Sequence, residues 1–287
     1  MTKDRLTFGQ ALAEARGRLT ASPTAALDAR VLLEYASRCD RAALIAADHD
    51  PLPDDIAARF ASLTERRRRG EPVAYITGRQ AFWEHTFAVG EGVLIPRPET
   101  EQLVETALSL KPPPRNVLDL GTGSGCLLLS ILHALPDATG VGIDASPDAL
   151  AYAQENRARL ALEQRADLKH LAFDEARTAF RGVRFDLIVA NPPYIPDATE
   201  LPISVADFEP KAALFSGDEG LDAHRACAAI MAEALAPEGS ALIEIGHDQG
   251  TSAPALYADV LPGRDVRAHH DAKGLPRMVA VGPVTGL

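Results

Sequence analysis

The sequence predicts an α/β protein: an open, mostly parallel seven-stranded sheet with helices on both faces, preceded by a small helical domain and a β-hairpin linker. Three observations carry that expectation. The first eighty residues place apolar side chains at three- and four-residue spacings. Residues 72–98 are rich in β-branched and aromatic residues punctuated by glycine. Beyond Pro112–Pro114, strand-like apolar runs alternate with helical patterns.

The helical spacing runs through "FGQALAEARGRL", "TAALDARVLLEYAS" and "DDIAARFASLTERRRR", with Pro- and Asp-containing breaks between them, and defines a helical domain over residues 1–71. The "RRRR" run at 66–69 precedes Gly70 and Pro72, so these cations belong in a last helical turn, where the helix dipole favours them, rather than in a binding patch. A hairpin linker is expected over 72–97, with Trp83 packing between the domains. A helix then starts near Pro98, with Glu99 and Glu101 in its first turn. Arg97 and Glu101 either line a cleft or form an ion pair at that helix start. The remaining domain, 98–287, has expected strands at 116–120, 139–143, 168–173, 185–190, 240–245, 264–270 and 277–282.

The bulk properties narrow the function. No charge-free apolar stretch reads as a secretory signal or a membrane span, so a cytoplasmic protein is expected. Cys39, Cys126 and Cys227 are scattered and lack histidines at ligand spacing, which fits thiols rather than disulfides or a zinc site; no metal is expected. Residues 1–80 hold 13 Lys and Arg against 11 Asp and Glu, while residues 81–287 hold 16 against 29. The larger part is therefore strongly acidic and would repel a phosphate backbone, which disfavours a nucleic-acid substrate.

Two motifs carry chemistry. "NVLDLGTGSGCLLLSILHAL" is a strand, a turn at Gly121, Gly123 and Gly125, and a helix; glycines there let backbone approach a ligand closely. The next strand, "ATGVGID", ends at Asp144, 19 residues after Gly125, where a carboxylate can accept both hydroxyls of a ribose. A dinucleotide fingerprint would need a third glycine where Cys126 stands. Asp119 and Asp144 could also serve only as a loop anchor and a helix cap. The pattern from Asp119 to Gly125, D-x-G-x-G-x-G, resembles motif I of the class I S-adenosylmethionine-dependent methyltransferases.

The second motif is "DLIVANPPYIPD", a buried strand that delivers Asn191, Pro192, Pro193 and Tyr194 to the carboxyl edge of the sheet. The Asn191 side-chain oxygen and the Pro192 carbonyl can each accept one N–H of a planar amino group. The prolines fix the backbone, and Tyr194 offers a flat face for stacking. A rigid turn that merely ends a strand is the plain alternative. N-P-P-Y resembles motif IV of amino-methyltransferases acting on adenine amines or glutamine amides.

Taken in order, "EPVAYITGRQAFW", "LIPRPETE", "VLDLGTGSG", "NPPYIP" and "FEPKAALFSGDEGLD" resemble the PrmC/HemK family of peptide-chain release factor glutamine methyltransferases over nearly all of residues 71–282. The resemblance implies a Rossmann-like methyltransferase domain and a helical substrate-recognition domain. The implied reaction is N5-methylation of the glutamine in the Gly-Gly-Gln motif of class 1 release factors, with S-adenosylmethionine as cofactor; a monomer is expected, though the sequence itself does not specify the oligomeric state. It implies cofactor contacts from Asp119, Gly121, Thr122, Gly123, Ser124, Gly125, Asp144, Asp174 and Asn191. It also implies catalytic roles for Asn191, Pro192 and Tyr194, and a glutamine cradle of Asn191, Pro192, Pro193 and Tyr194. One departure stands out: the family's adenine-packing tryptophan is replaced by Glu175 in "AFDEA", and strand alternation would aim the neighbouring Phe173 differently. The segment 207–225 is either a cover over the target pocket or a surface excursion. The competing functions are an N6-adenine or N2-guanine methyltransferase on DNA or RNA and a non-catalytic binding module.

Overall fold

In the computed structural model, which describes residues 5–283, the chain forms two compact units: one runs to Gly78 and includes Pro202–Phe208, and the other comprises Arg79–Leu201 and the chain from Glu209. The first contains α1 (Phe8–Arg18), α2 (Ala25–Ser37), α3 (Arg41–Ala46), α4 (Asp54–Arg68), α5 (Val73–Thr77) and the short α10 (Ile203–Ala206). Thr7 and Gln10 form a reciprocal capping box that starts α1, and the Asp40 carboxylate caps α3. The spaced apolar residues Phe8, Ala15, Leu32, Leu33, Phe60 and Leu63 meet in one core.

All four arginines of 66–69 are paired within this unit. Arg66 meets Glu71, and Arg68 and Arg69 share Glu65. Arg67 turns inward to the buried Asp28 at 2.6 Å, where Ser22 and Thr24 hydroxyls also donate to that carboxylate. The last-turn reading of the run thus holds for Arg66–Arg68, with Arg69 as the C-cap.

The structure divides the expected hairpin linker. Val73–Thr77 is helical, because Val73 and Ile76 lie three apart and pack on the helical core, and Gly78 ends the helix at φ +71. Packing here overrides the strand preference of Val, Ile and Thr. The hairpin itself is β1 (Arg79–Phe82) and β2 (His85–Ala88), paired antiparallel in the second unit. Trp83 sits at its two-residue turn with φ +52, a left-handed value that tight hairpins require. Its ring packs on the core of the second unit.

The second unit continues with a 3₁₀ turn (Pro98–Thr100), α6 (Glu101–Ser109), β3 (Asn116–Leu120), α7 (Cys126–Ala134), β4 (Thr139–Asp144) and α8 (Pro147–Arg159). It proceeds through β5 (Ala166–His170), α9 (Phe173–Ala179), β6 (Phe185–Ala190), a 3₁₀ turn (Lys211–Ala213) and α11 (Asp222–Ala234), and ends with β7 (Leu235–Glu244), α12 (Ser252–Val260), β8 (Asp265–His270) and β9 (Pro276–Gly282). The seven-stranded sheet has the order β5-β4-β3-β6-β7-β9-β8; every pair is parallel except those made by β9.

Alternation along the strands sorts side chains to two faces. Val117, Leu187, Val189 and Leu242 join α6 and α7 in one core, and Leu118, Ile188, Ala190 and Ile243 join α11 and α12 in the other. The strand order reverses between β3 and β6, which opens a crevice at their carboxyl ends, the usual ligand position in an open α/β sheet.

Candidate active site

A cleft of about 660 Å³ opens at that crevice. Asp119, Gly121, Thr122, Gly123, Ser124, Asp144, Asn191 and Pro193 line it, together with Thr100, Phe173 and Phe215. The loop after β3 is drawn toward β4, since the N–H groups of Gly121 and Thr122 both donate to the Ile143 carbonyl at 3.0 and 2.8 Å. Gly121, Gly123 and Gly125 all have left-handed φ, and a Cβ at Gly125 would press on Leu129 at 2.8 Å. Gly125 thus shapes the loop from behind the lining.

Asp119 is buried and accepts the Thr122 hydroxyl at 2.7 Å; burial pushes its carboxyl up to about 7. Asp144 accepts the N–H groups of Gly123 and Ser146, and burial raises its pKa as well. The described lining residues include these two carboxylates and Asp222 but no Lys, Arg or His. Acids held in partial desolvation without a cation suit a positively charged ligand and oppose a pyrophosphate. The cleft therefore fits a sulfonium nucleoside better than a dinucleotide.

Around the target motif, period two decides the geometry. Asn191 follows Ala190 on β6, and Ala190 pairs with Ile243 of β7, so Asn191 and Glu244 project side by side on the α6 face. Thr100, just before α6, lies over them. Asn191 Nδ2 donates to Thr100 Oγ1 at 3.1 Å, Thr100 Oγ1 donates to Glu244 Oε2 at 2.5 Å, and the Tyr194 hydroxyl donates to Glu244 Oε1 at 3.2 Å. Burial pushes the Glu244 carboxyl up to about 7 against the lowering effect of both donors, and it raises the Tyr194 phenol further above its ordinary value. Pro192 is buried; neither it nor Tyr194 is among the cleft-lining residues.

The segment after the target motif folds over the cleft. Ile195 and Phe215 bridge in parallel, Ile195 N–H donates to Leu214 O, and Ser216 N–H donates to Ile195 O, both at 2.9 Å. Pro210, Ala213, Phe215 and Gly217 thereby become part of the lining. Arg97 pairs with the buried Glu209 of this segment at 2.5 Å, while Glu209 Oε2 accepts the Ile95 N–H. Glu101 instead accepts the Trp83 N–H, so the ion pair considered at the helix start is not formed.

Two further expectations change at β5. The strand ends at His170 rather than at 173, and Phe173 opens α9. Phe173 consequently escapes strand alternation and lines the cleft, its ring 3.6 Å from where a Gly121 Cβ would lie. Asp174, one residue on, is exposed, accepts the Glu175 N–H and lies outside the lining. Sequence reasoning also missed Thr100, Glu209 and Glu244. For Glu244 the signal was present: an acid within the apolar strand "ALIEIG" is costly unless it has donors.

Comparison with known proteins agrees with this architecture. Residues 10–78 match the family model described as PrmC N-terminal domain, and residues 113–247 match a methyltransferase domain. The chain is 40% identical to the release factor glutamine methyltransferase of Bradyrhizobium diazoefficiens, over 95% of both chains. It is 38% identical to that of Koribacter versatilis, over 96% of this chain and 98% of the relative. A solved structure of the hMettl16 catalytic domain with an RNA hairpin aligns at a TM-score of 0.52 and 13% identity over 80% of both chains, a likeness of fold alone. With identity at this level across nearly its whole length, the chain belongs to the release factor glutamine methyltransferase family.

Proposed function

We propose that this chain methylates the side-chain amide nitrogen of the Gly-Gly-Gln glutamine of class 1 release factors, acting as a cytoplasmic monomer with no nucleic-acid substrate. S-adenosylmethionine, when bound, supplies an electrophilic methyl on a positively charged sulfur. The observation that carries the reading is Asn191: its Nδ2 is tied back to Thr100, which leaves its Oδ1 to accept a target N–H at the cleft. Together with the Pro192 carbonyl it accepts both hydrogens of one amide nitrogen. As positive charge develops on that nitrogen its N–H groups become stronger donors, so both bonds tighten beyond their ground-state strength. Pro193 lines the cradle, Tyr194 backs it from behind the lining with its hydroxyl on Glu244, and the surplus proton leaves to solvent after transfer.

In this reading Asp144 accepts the ribose hydroxyls, while Asp119, Thr122, Ser124 and the three glycines shape the cofactor cradle. Asp174 contributes through the first turn of α9, and the helical domain recognises the release factor. Phe173 takes the adenine-packing place of the family's tryptophan. Phe173→Ala is then expected to weaken S-adenosylhomocysteine binding about 10-fold by calorimetry. Unchanged affinity would remove Phe173 from the cofactor site.

The activity is tested with labelled S-adenosylmethionine presented in parallel with intact release factor, a release factor whose motif glutamine is alanine, and RNA or DNA. Label on the intact factor alone is the expected result. Equal labelling of the alanine form sinks the glutamine assignment, and labelling of nucleic acid transfers the reading to an amino-methyltransferase of bases.

A further inference from the structure

We propose that Thr100 and Glu244 are positioning residues whose joint task is to fix which end of the Asn191 amide faces the target. The inference rests on the reading of Asn191 as the target acceptor. An asparagine side chain can lie in two orientations that exchange its oxygen and its NH₂ group, and only one of them offers an acceptor to the cleft. A local count of protons selects it. Ionised Glu244 has acceptors alone: Oε1 takes the Tyr194 hydroxyl proton and Oε2 the Thr100 hydroxyl proton. Thr100 has a single hydroxyl proton, and once that is committed it turns only a lone pair toward Asn191. The amide must answer with its NH₂, as it does at 3.1 Å, and Oδ1 is left to the cleft. In the reversed orientation two oxygen lone pairs would face one another and the target would meet a donor. The short 2.5 Å contact between Thr100 and Glu244 is typical of a charge-assisted hydrogen bond, which keeps the proton of Thr100 on that side.

The arrangement is built by the fold. Thr100 and Glu244 are both buried, and they stand on the turn before α6 and the end of β7, the two elements that flank Asn191 on the α6 face. The same carboxylate also restrains the Tyr194 ring, so one buried acid orients both functional side chains of the target motif.

The test uses Thr100→Val, Thr100→Ser, Asn191→Ala and the Thr100→Val/Asn191→Ala double variant of the full chain, assayed near pH 8.5, where Glu244 is ionised. Thr100→Val is expected to lower kcat about 30-fold with little change in KM for release factor, and Thr100→Ser to restore it within about 3-fold. S-adenosylhomocysteine affinity and Tm report whether cleft and fold survive. In the Asn191→Ala background, Thr100→Val is expected to change kcat by less than about 2-fold, since there is no amide left to orient. An undiminished kcat in Thr100→Val, or an equal loss in both backgrounds, overturns the proposal. Neutron diffraction of the wild-type protein, also near pH 8.5, provides a check independent of variant folding: deuterons on the Asn191 nitrogen facing Thr100 support it, and oxygen facing Thr100 overturns it. Failure of the underlying reading is distinguishable, because Asn191→Ala would then leave the rate unchanged whatever the orientation of the amide.

Discussion

Asn191→Ala is expected to lower the rate of glutamine methylation about 100- to 1000-fold, the loss typical of removing one preorganised partner of developing charge. The side chain is only partly buried and, among the described residues, makes one hydrogen bond, to Thr100, so the accompanying loss of stability should be about 1 kcal/mol. The separation of these effects is the informative part. A residue that merely ended β6 would affect folding and turnover together, whereas an acceptor for the reacting amide affects turnover while leaving the melting temperature and cofactor affinity nearly intact. Asn191→Asp is expected to bring a charge into the cleft and to lose the Nδ2 donor that anchors the side chain, so it should not restore the rate. Single-turnover kinetics with release factor in excess measures the chemical step directly. A near-wild-type rate in Asn191→Ala would rule out the two-acceptor mechanism.

The second large effect concerns Glu244 and pH. Its folded carboxyl lies near 7 against an ordinary 4.5, because burial disfavours the ionised form. Between those values the unfolded chain has released a proton that the folded chain still holds. Stability from this group is therefore greatest below about pH 4.5, falls as pH rises to about 7, and stays lower above it. At roughly 1.4 kcal/mol per pKa unit the fall is about 3 kcal/mol. Glu244→Gln cannot ionise and should lack it. The variant is thus expected to gain stability relative to wild type between pH 4.5 and 7, even though it loses an ionic acceptor. Denaturant titrations of both proteins without cofactor at several pH values test this, and parallel stability profiles would show that Glu244 carries no such penalty. Asp119, also raised to about 7 by burial, acts in the same direction in both proteins and cancels in the comparison.

Much of the lining of the candidate site is legible in the sequence. The glycine turn, Asp144 and Asn191 announce themselves because each interrupts an apolar strand with a residue that the strand has no packing use for. The strands were equally legible, since buried parallel strands need unbroken apolar runs. The errors came where local signals conflict with packing. Val73 and Ile76 favour a strand individually, yet their three-residue spacing fits the helical core. At Phe173 a one-element shift, strand to helix start, reversed the direction expected for the ring. Arg97 found its partner 112 residues away at Glu209, rather than in the adjacent helix.

The sequence by itself determined the strands, the glycine turn after β3 and the Asn-Pro-Pro-Tyr turn after β6, because backbone geometry and alternation are local properties written in a few consecutive residues. It also determined that Asn191 would reach the carboxyl edge of the sheet. Only the tertiary structure decided which way its amide is held. That depends on β6 and β7 being neighbours in register and on the turn before α6 crossing their ends, which brings Thr100 to Glu244 across 144 residues of chain. A hydrogen bond acts over about 3 Å, so its partners are chosen by the order of strands and the placement of helices, neither of which is spelled out in the neighbourhood of any one of the residues involved.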